Sequence, residues 1–225
     1  MTTDQTVSAA RPRAGHPHPV TRALLIGGAV AGPLFYLSAL VQMAVRDGFD
    51  LRVHPLSQLA TGEWGRIQML TFVLVGLGLI GLSAGHRRVI STGIGRGALP
   101  LFIAIGGTGF IAAGLFPQDP SHGFPLGTPD GPAAVTTWHA SVHIIAAIIG
   151  FSALAIAAAL ALVRAIRQHR PLAAAGNAVV ALVLLVPVDP DIASIQVAVT
   201  GLFAFGWCTA TAVRLLRLAT AIPTR

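Results

Sequence analysis

The residues best suited to chemistry are two histidines, His139 and His143, which stand four positions apart where an apolar run begins. Side chains at this spacing share one face of a helix, and two helical metal ligands need that arrangement. Asp119 follows an earlier apolar run at the same expected membrane depth and would supply a third ligand or a general base. His54 and His122 are further candidate ligands. The pattern predicts a divalent transition-metal site, with zinc as the expected ion.

Ser57 is the candidate for a polar contact to substrate. It lies in the segment 54–60, where Pro55 suits the first turn of a short helix lying on the membrane surface. In a hydrolytic site its hydroxyl would contact the substrate or an oxyanion. The alternative is a structural role, in which Ser57 caps its own turn and the two histidines bond to loop carbonyls or water at the membrane interface. Both interpretations stay open at this stage.

The composition restricts the class of protein. The chain has 225 residues, of which 54% are hydrophobic and 10% are charged, whereas a soluble domain carries about 25% charged residues. This excludes a soluble globular enzyme and a disordered chain, and it predicts a polytopic membrane protein. The net charge of +7 does not indicate a nucleic-acid partner, because the arginines cluster at the ends of apolar runs, where membrane topology requires them.

Six apolar runs predict an all-α bundle of six transmembrane helices. A span needs about 20 residues, and the fifth run is the shortest, so five helices plus a re-entrant segment is the rival count. The expected domain is 23–216, between polar cytoplasmic tails at 1–22 and 217–225. The predicted helices are 23–45, 67–84, 98–116, 138–163, 172–188 and 192–213.

The arginines predict the orientation, since arginine-rich segments stay cytoplasmic. Twelve of the 15 arginines fall in the two tails and in the second and fourth loops, together with a single acid, Asp4. The other loops hold Arg46, Arg52 and Arg66 with the remaining seven acids. We therefore expect a multi-pass protein of the plasma membrane, with both termini cytoplasmic and the His/Asp/Ser cluster at the extracytoplasmic face.

A short repeat suggests duplication. Leu115-Phe-Pro-Gln-Asp-Pro120 ends the third apolar run and Leu185-Val-Pro-Val-Asp-Pro190 ends the fifth. Each follows a hairpin entered through a tryptophan, Trp64 or Trp138. The hypothesis is that helices two and three share an origin with helices four and five. The alternative is that proline and aspartate are simply common helix enders.

Three segments together resemble a bacterial and archaeal membrane family called domain of unknown function 998 (DUF998). They are His54-Pro-Leu-Ser-Gln-Leu-Ala-Thr-Gly-Glu-Trp64, Phe116-Pro-Gln-Asp-Pro120 and Trp138-His-Ala-Ser-Val-His143. The resemblance covers about 23–216 and implies a membrane protein of six or so helices, without an established activity. The family's motif positions map to Ser57, Asp119, His139 and His143. A looser similarity joins the chain to zinc-dependent membrane hydrolases of the alkaline ceramidase and progestin-receptor type. Those have seven helices and a third histidine on the last one, and this sequence has neither.

The functional expectation is an uncharacterised integral membrane protein whose partners include membrane lipids, and two more specific functions compete. One is a metal-dependent hydrolase or lipid-modifying enzyme, in which the metal activates water against an ester or amide. The other is a non-enzymatic binder of lipid or a small molecule, a carrier, or a subunit of a complex. No acidic residue falls in the middle of a run, which disfavours an ion-coupled pump.

Overall fold

A computed structural model describes residues 18–93 and 95–221, and in this part the chain forms six α-helices and no strand. The helices are α1 (Pro19–Val45), α2 (Gly65–Val89), α3 (Ala98–Leu115), α4 (Trp138–Arg167), α5 (Pro171–Leu185) and α6 (Ala193–Ala221). The predicted all-α membrane bundle is confirmed. Most of the predicted N-terminal tail, 1–17, and the last four residues lie outside the described residues. Within the described ones, α1 begins before the predicted residue 23, and α6 continues beyond residue 216.

Five of the described helices are long and apolar enough to cross a membrane, and α5 is the exception. Its 15 residues rise about 22 Å at 1.5 Å each, short of a hydrocarbon core of about 30 Å. The predicted fifth span ran to residue 188, but the helix ends at Leu185. Pro187 explains the early end, because a residue that precedes proline is disfavoured in helical conformation.

Neighbouring helices pack antiparallel, and α6 returns against α1. Tyr36 of α1 donates a hydrogen bond to the carbonyl of Ala198 at 2.6 Å, and Thr209 donates to Ala29 at 3.0 Å. Small residues allow the close approach: a Cβ at Gly76 would collide with the backbone of Gly107 across α2 and α3. Packing through glycine is typical of membrane helices.

The alternation of helix directions gives the bundle two chemically different ends. One end, which we call the arginine end, holds the C-termini of α2, α4 and α6. The arginines near these termini are Arg87, Arg88, Arg96, Arg164, Arg167, Arg170, Arg214 and Arg217. The other, the acidic end, is built from the loops 46–64, 116–137 and 186–192, which hold every acid of the described chain.

The repeated motif has a structural counterpart. Both α3 and α5 end at the leucine of the motif, Leu115 and Leu185. Its aspartate then bonds near the next helix: Asp119 binds Thr137 before α4, and Asp189 accepts from the backbone of Asp191 before α6. The two hairpins differ in length, and their common origin stays a prediction.

Candidate functional site

His143 is held in place by one of its two ring nitrogens. The side chain is only 2% exposed, and its Nδ1 lies 2.8 Å from the carbonyl oxygen of Ala113 and 3.0 Å from that of Phe116. Carbonyl oxygens only accept, so Nδ1 carries a hydrogen, and Nε2 holds the lone pair of the neutral ring. The ring packs edge-on against Phe72. His143 is therefore a fixed, buried hydrogen-bond acceptor.

A cavity of about 470 Å³ lies beside His143, between α4, α6 and the acidic-end half of α1. Its inner wall is aromatic and comes from five helices: Phe35, Phe72, Phe110, Phe151 and Phe205. Three of the six contacts among these rings are edge to face, and the centroids of Phe110 and Phe205 are 4.9 Å apart. Leu184 of α5 and two residues beyond the end of that helix, Val186 and Val188, form part of the wall.

Few polar groups face this cavity, and two of the predicted site residues are among its lining. Ser57 and His143 both line it, together with Gln118. Within the described residues, the Ser57 hydroxyl makes no hydrogen bond, and both roles considered for it stay open. Ser194 also lines the cavity, but its hydroxyl is bonded to the carbonyl of Val53.

The segment of Ser57 lies inside the end of the bundle. Residues Leu56–Ala60 form a 3₁₀ turn whose Leu56, Leu59 and Ala60 are buried, whereas a short helix on the membrane surface was predicted. Arg46 holds the turn by donating to the carbonyls of Leu59 and Thr61, and burial lowers the pKa of its guanidinium. Leu56 and Ser57 of the turn line the cavity at the acidic end.

His139 lies in different surroundings from His143, although both are on α4. Its ring is exposed and stacks on Trp138 with centroids 3.7 Å apart. It is absent from the lining of the cavity. The two histidines are four residues apart on one helix, but only His143 lines the cavity.

Asp119 fastens the 116–137 loop to the start of α4. Its two carboxylate oxygens accept from the backbone N–H of Thr137 at 2.8 Å and from its hydroxyl at 2.7 Å. The Thr137 hydroxyl oxygen in turn accepts from the N–H of Ala140 and caps the helix. Asp119 is therefore engaged in a clasp between the ends of α3 and α4.

His54 and His122 join the two large loops of the acidic end. His54 is 3% exposed, its Nδ1 accepts from the N–H of Asp50 at 2.9 Å, and its Nε2 donates to the carbonyl of His122 at 2.9 Å. Phe49 and Phe124 pack against its ring. The side chain of His122 is exposed.

The structure does not support the predicted metal site. Across residues 18–93 and 95–221, no three His, Cys, Asp or Glu side chains come together in a group that could hold an ion. The physical reason is that some candidates already have hydrogen-bond partners and the others lie at the surface. Both nitrogens of His54 are bonded, both oxygens of Asp119 accept from Thr137, and His139 and His122 are exposed.

Comparison with known families agrees with the resemblance seen in the sequence. The profile described as "Protein of unknown function (DUF998)" matches residues 29–214. The chain belongs to the DUF998 family. No curated protein and no solved structure matches it.

The DUF998 match includes every residue that lines the cavity and all of the predicted site residues. Sequence reasoning did not find the cavity itself. The signals for it were five phenylalanines at inward positions of five helices, and the proline that shortens α5. The name of the family states no activity, so the function has to be argued from the cavity.

Proposed function

We propose that this DUF998 protein binds an apolar, lipid-like molecule in the cavity beside His143. The observation that carries the proposal is a cavity of about 470 Å³ with an aromatic wall and one oriented, buried hydrogen-bond acceptor. Small-molecule sites occupy about 300–1,000 Å³ and combine apolar walls with a few polar groups that orient the ligand. Nε2 of His143 would accept from a hydroxyl or amide N–H of the ligand.

The orientation of the chain gives the ligand a source. Arginine-rich segments favour the cytoplasmic side, so we propose that both termini are cytoplasmic, that the protein lies in the plasma membrane, and that the cavity opens within the outer leaflet. Reporters fused after Arg225 and within the 116–137 loop test this. We expect a cytoplasmic signal from the first and an external signal from the second, and the reverse would overturn the orientation.

A competition experiment tests the role of His143 in binding. The fluorescent probe is 11-(dansylamino)undecanoic acid in detergent-purified protein, and the competitors are dodecanol and its methyl ether. The ether cannot donate a hydrogen bond, so we expect dodecanol to compete about five-fold better, the value of one net hydrogen bond of about 1 kcal/mol. His143→Phe keeps an aromatic ring and removes the acceptor. The preference for dodecanol should disappear in this variant, and its persistence would contradict the proposal.

A second candidate function is ester hydrolysis without a metal. The specific observation is that Ser57, whose hydroxyl has no partner among the described residues, and His143 line one cavity. Nε2 would take the proton of the Ser57 hydroxyl while its oxygen attacks an ester carbonyl, and it would then return the proton to the leaving alcohol. Water would release the acid from the acyl-serine.

Turnover separates the two candidates. We expect a hydrolase to release p-nitrophenol from p-nitrophenyl decanoate, with loss of at least about a hundredfold in either Ser57→Ala or His143→Phe. Thr108→Ala, on the exposed face of α3, is the control. If the Ser57 and His143 variants both release p-nitrophenol as fast as the Thr108 variant does, hydrolysis at this cavity is contradicted and ligand binding remains the proposed function.

A further inference from the structure

A second cavity lies at the arginine end, at the opposite end of the bundle from the first. Its volume is about 50 Å³, and three arginines line it: Arg164 near the end of α4, Arg170 just before α5, and Arg214 in α6. His86 from the last turn of α2 also lines it. Four segments thus bring basic side chains to one small space.

The positive charge of this cavity has no counterion in the described chain. The one salt bridge among residues 18–93 and 95–221 joins Arg52 and Asp50, at the acidic end. Every acid of these residues lies in the acidic-end loops. Arg164 is half-buried, Arg170 and Arg214 are exposed, and all three line the cavity. Arginines without an acidic partner are suited to bind an anion.

His86 is an independent sign of a missing ligand. Its side chain is 3% exposed, and its buried Nδ1 has no hydrogen-bond partner within the described part of the chain. An unpartnered buried polar atom costs about 1–3 kcal/mol unless something else bonds it. His86 lines the cavity beside the three arginines, so a ligand that sits there lies next to a side chain with an unfilled hydrogen bond. The neighbouring polar pair, Trp207 and Asn177, is already satisfied by its own hydrogen bond.

We propose that this cavity binds a phosphate group. A guanidinium fork matches two phosphate oxygens, and three arginines suit a tetrahedral oxyanion. One water molecule needs about 10–15 Å³ of cavity volume. A cavity of about 50 Å³ therefore holds a group of a few heavy atoms. The phosphate comes either from a lipid headgroup of the leaflet at this end or from solution. The proposal goes beyond the ligand cavity at the acidic end and does not depend on it.

Thermal unfolding of the whole purified chain tests the site, because a ligand that binds the folded state raises the Tm. One arm adds inorganic phosphate, with sodium chloride at equal ionic strength as control. The other adds dioleoylphosphatidic acid in mixed micelles, with dioleoylglycerol, which lacks the phosphate, as control. The variant is Arg164→Gln/Arg214→Gln. Its matched control is Arg87→Gln/Arg88→Gln, which removes two exposed arginines of the same end.

We expect a phosphate-bearing probe to raise the Tm of the wild type and of the Arg87/Arg88 control, and the shift to vanish in the Arg164/Arg214 variant. A shift from phosphatidic acid alone identifies a lipid headgroup, and a shift from inorganic phosphate identifies the free anion as sufficient. If the double variant does not fold, Arg164→Lys replaces it. We then expect the Tm shift caused by the phosphate-bearing probe to fall by at least about half, because lysine lacks the two-pronged guanidinium group. No shift in either wild-type arm, or an equal shift in the cavity variant, would overturn the site.

Discussion

His54 and His143 are both buried at the acidic end, yet their surroundings differ in one respect. Both ring nitrogens of His54 are bonded to backbone groups of the loops. His143 uses only Nδ1 for the backbone, and its ring borders a cavity. A histidine with both ring nitrogens bonded to the protein holds the structure together, whereas one with a single bonded nitrogen has an atom left for a ligand. The comparison therefore assigns a structural role to His54 and supports the binding role proposed for His143.

The largest effect on stability is expected from His54→Leu. This change leaves the N–H of Asp50 and the carbonyl of His122, both partly buried, without their partner, and a fully buried group would cost about 1–3 kcal/mol. We expect the free energy of unfolding to fall by about 2–4 kcal/mol. His143→Phe leaves an aromatic ring in place but frees the carbonyls of Ala113 and Phe116, so its cost should be similar and no larger. Denaturant unfolding in detergent measures both. Only His143→Phe should also lose the preference for dodecanol, and loss of that preference in both variants would break the comparison.

The clasp between Asp119 and Thr137 should have an intermediate effect. Asp119→Ala removes the acceptor for two hydrogen bonds and loosens the cap of α4, so we expect a loss of about 1–2 kcal/mol. Thr137→Ala should cost a similar amount. The double variant should cost little more than either single one, because the two residues form one unit. Additive losses would show that Asp119 acts elsewhere. Asp130→Ala, at an exposed position, is the control.

The smallest effect on stability is expected from a change at Asp50. Its backbone N–H bonds to His54, and its side chain does not. The exposed guanidinium of Arg52 lowers the pKa of the Asp50 carboxyl to about 2. Because the folded pKa lies below the ordinary value of 3.8, the stabilisation is present above about pH 4 and is lost as the pH falls through about 2. Asp50→Asn should remove this dependence while barely changing the Tm at pH 7. A large loss at pH 7 would show that the carboxylate supports the His54 contact.

Helices and family membership could be predicted from the sequence because they depend on local apolar runs and motifs. Four of the predicted spans agree closely with α1 to α4, and the motif leucines Leu115 and Leu185 mark helix ends. The shortness of α5 was visible as a run containing Pro187. These features require no knowledge of which helices touch.

The candidate site could be predicted only in part, because its geometry depends on contacts between distant segments. The spacing of His139 and His143 correctly predicted that they lie one helical turn apart. It could not predict that the ring of His139 stacks on Trp138 at the surface. The partner of His54 is a carbonyl 68 residues away, in a loop without regular structure. The cavity is lined by residues of all six helices, whose placement beside one another no motif encodes.

Filling the cavity tests the central claim most directly. Ala147 lines the cavity on α4, and Ile149 is exposed on the same helix away from it. Binding of 11-(dansylamino)undecanoic acid is followed by fluorescence anisotropy in wild type, Ala147→Trp and Ile149→Trp. The account predicts that Ala147→Trp raises the Kd at least about tenfold, which corresponds to about 1.4 kcal/mol. The Ile149→Trp variant should bind the probe as tightly as the wild type. Equal affinities in all three proteins would contradict ligand binding in this cavity.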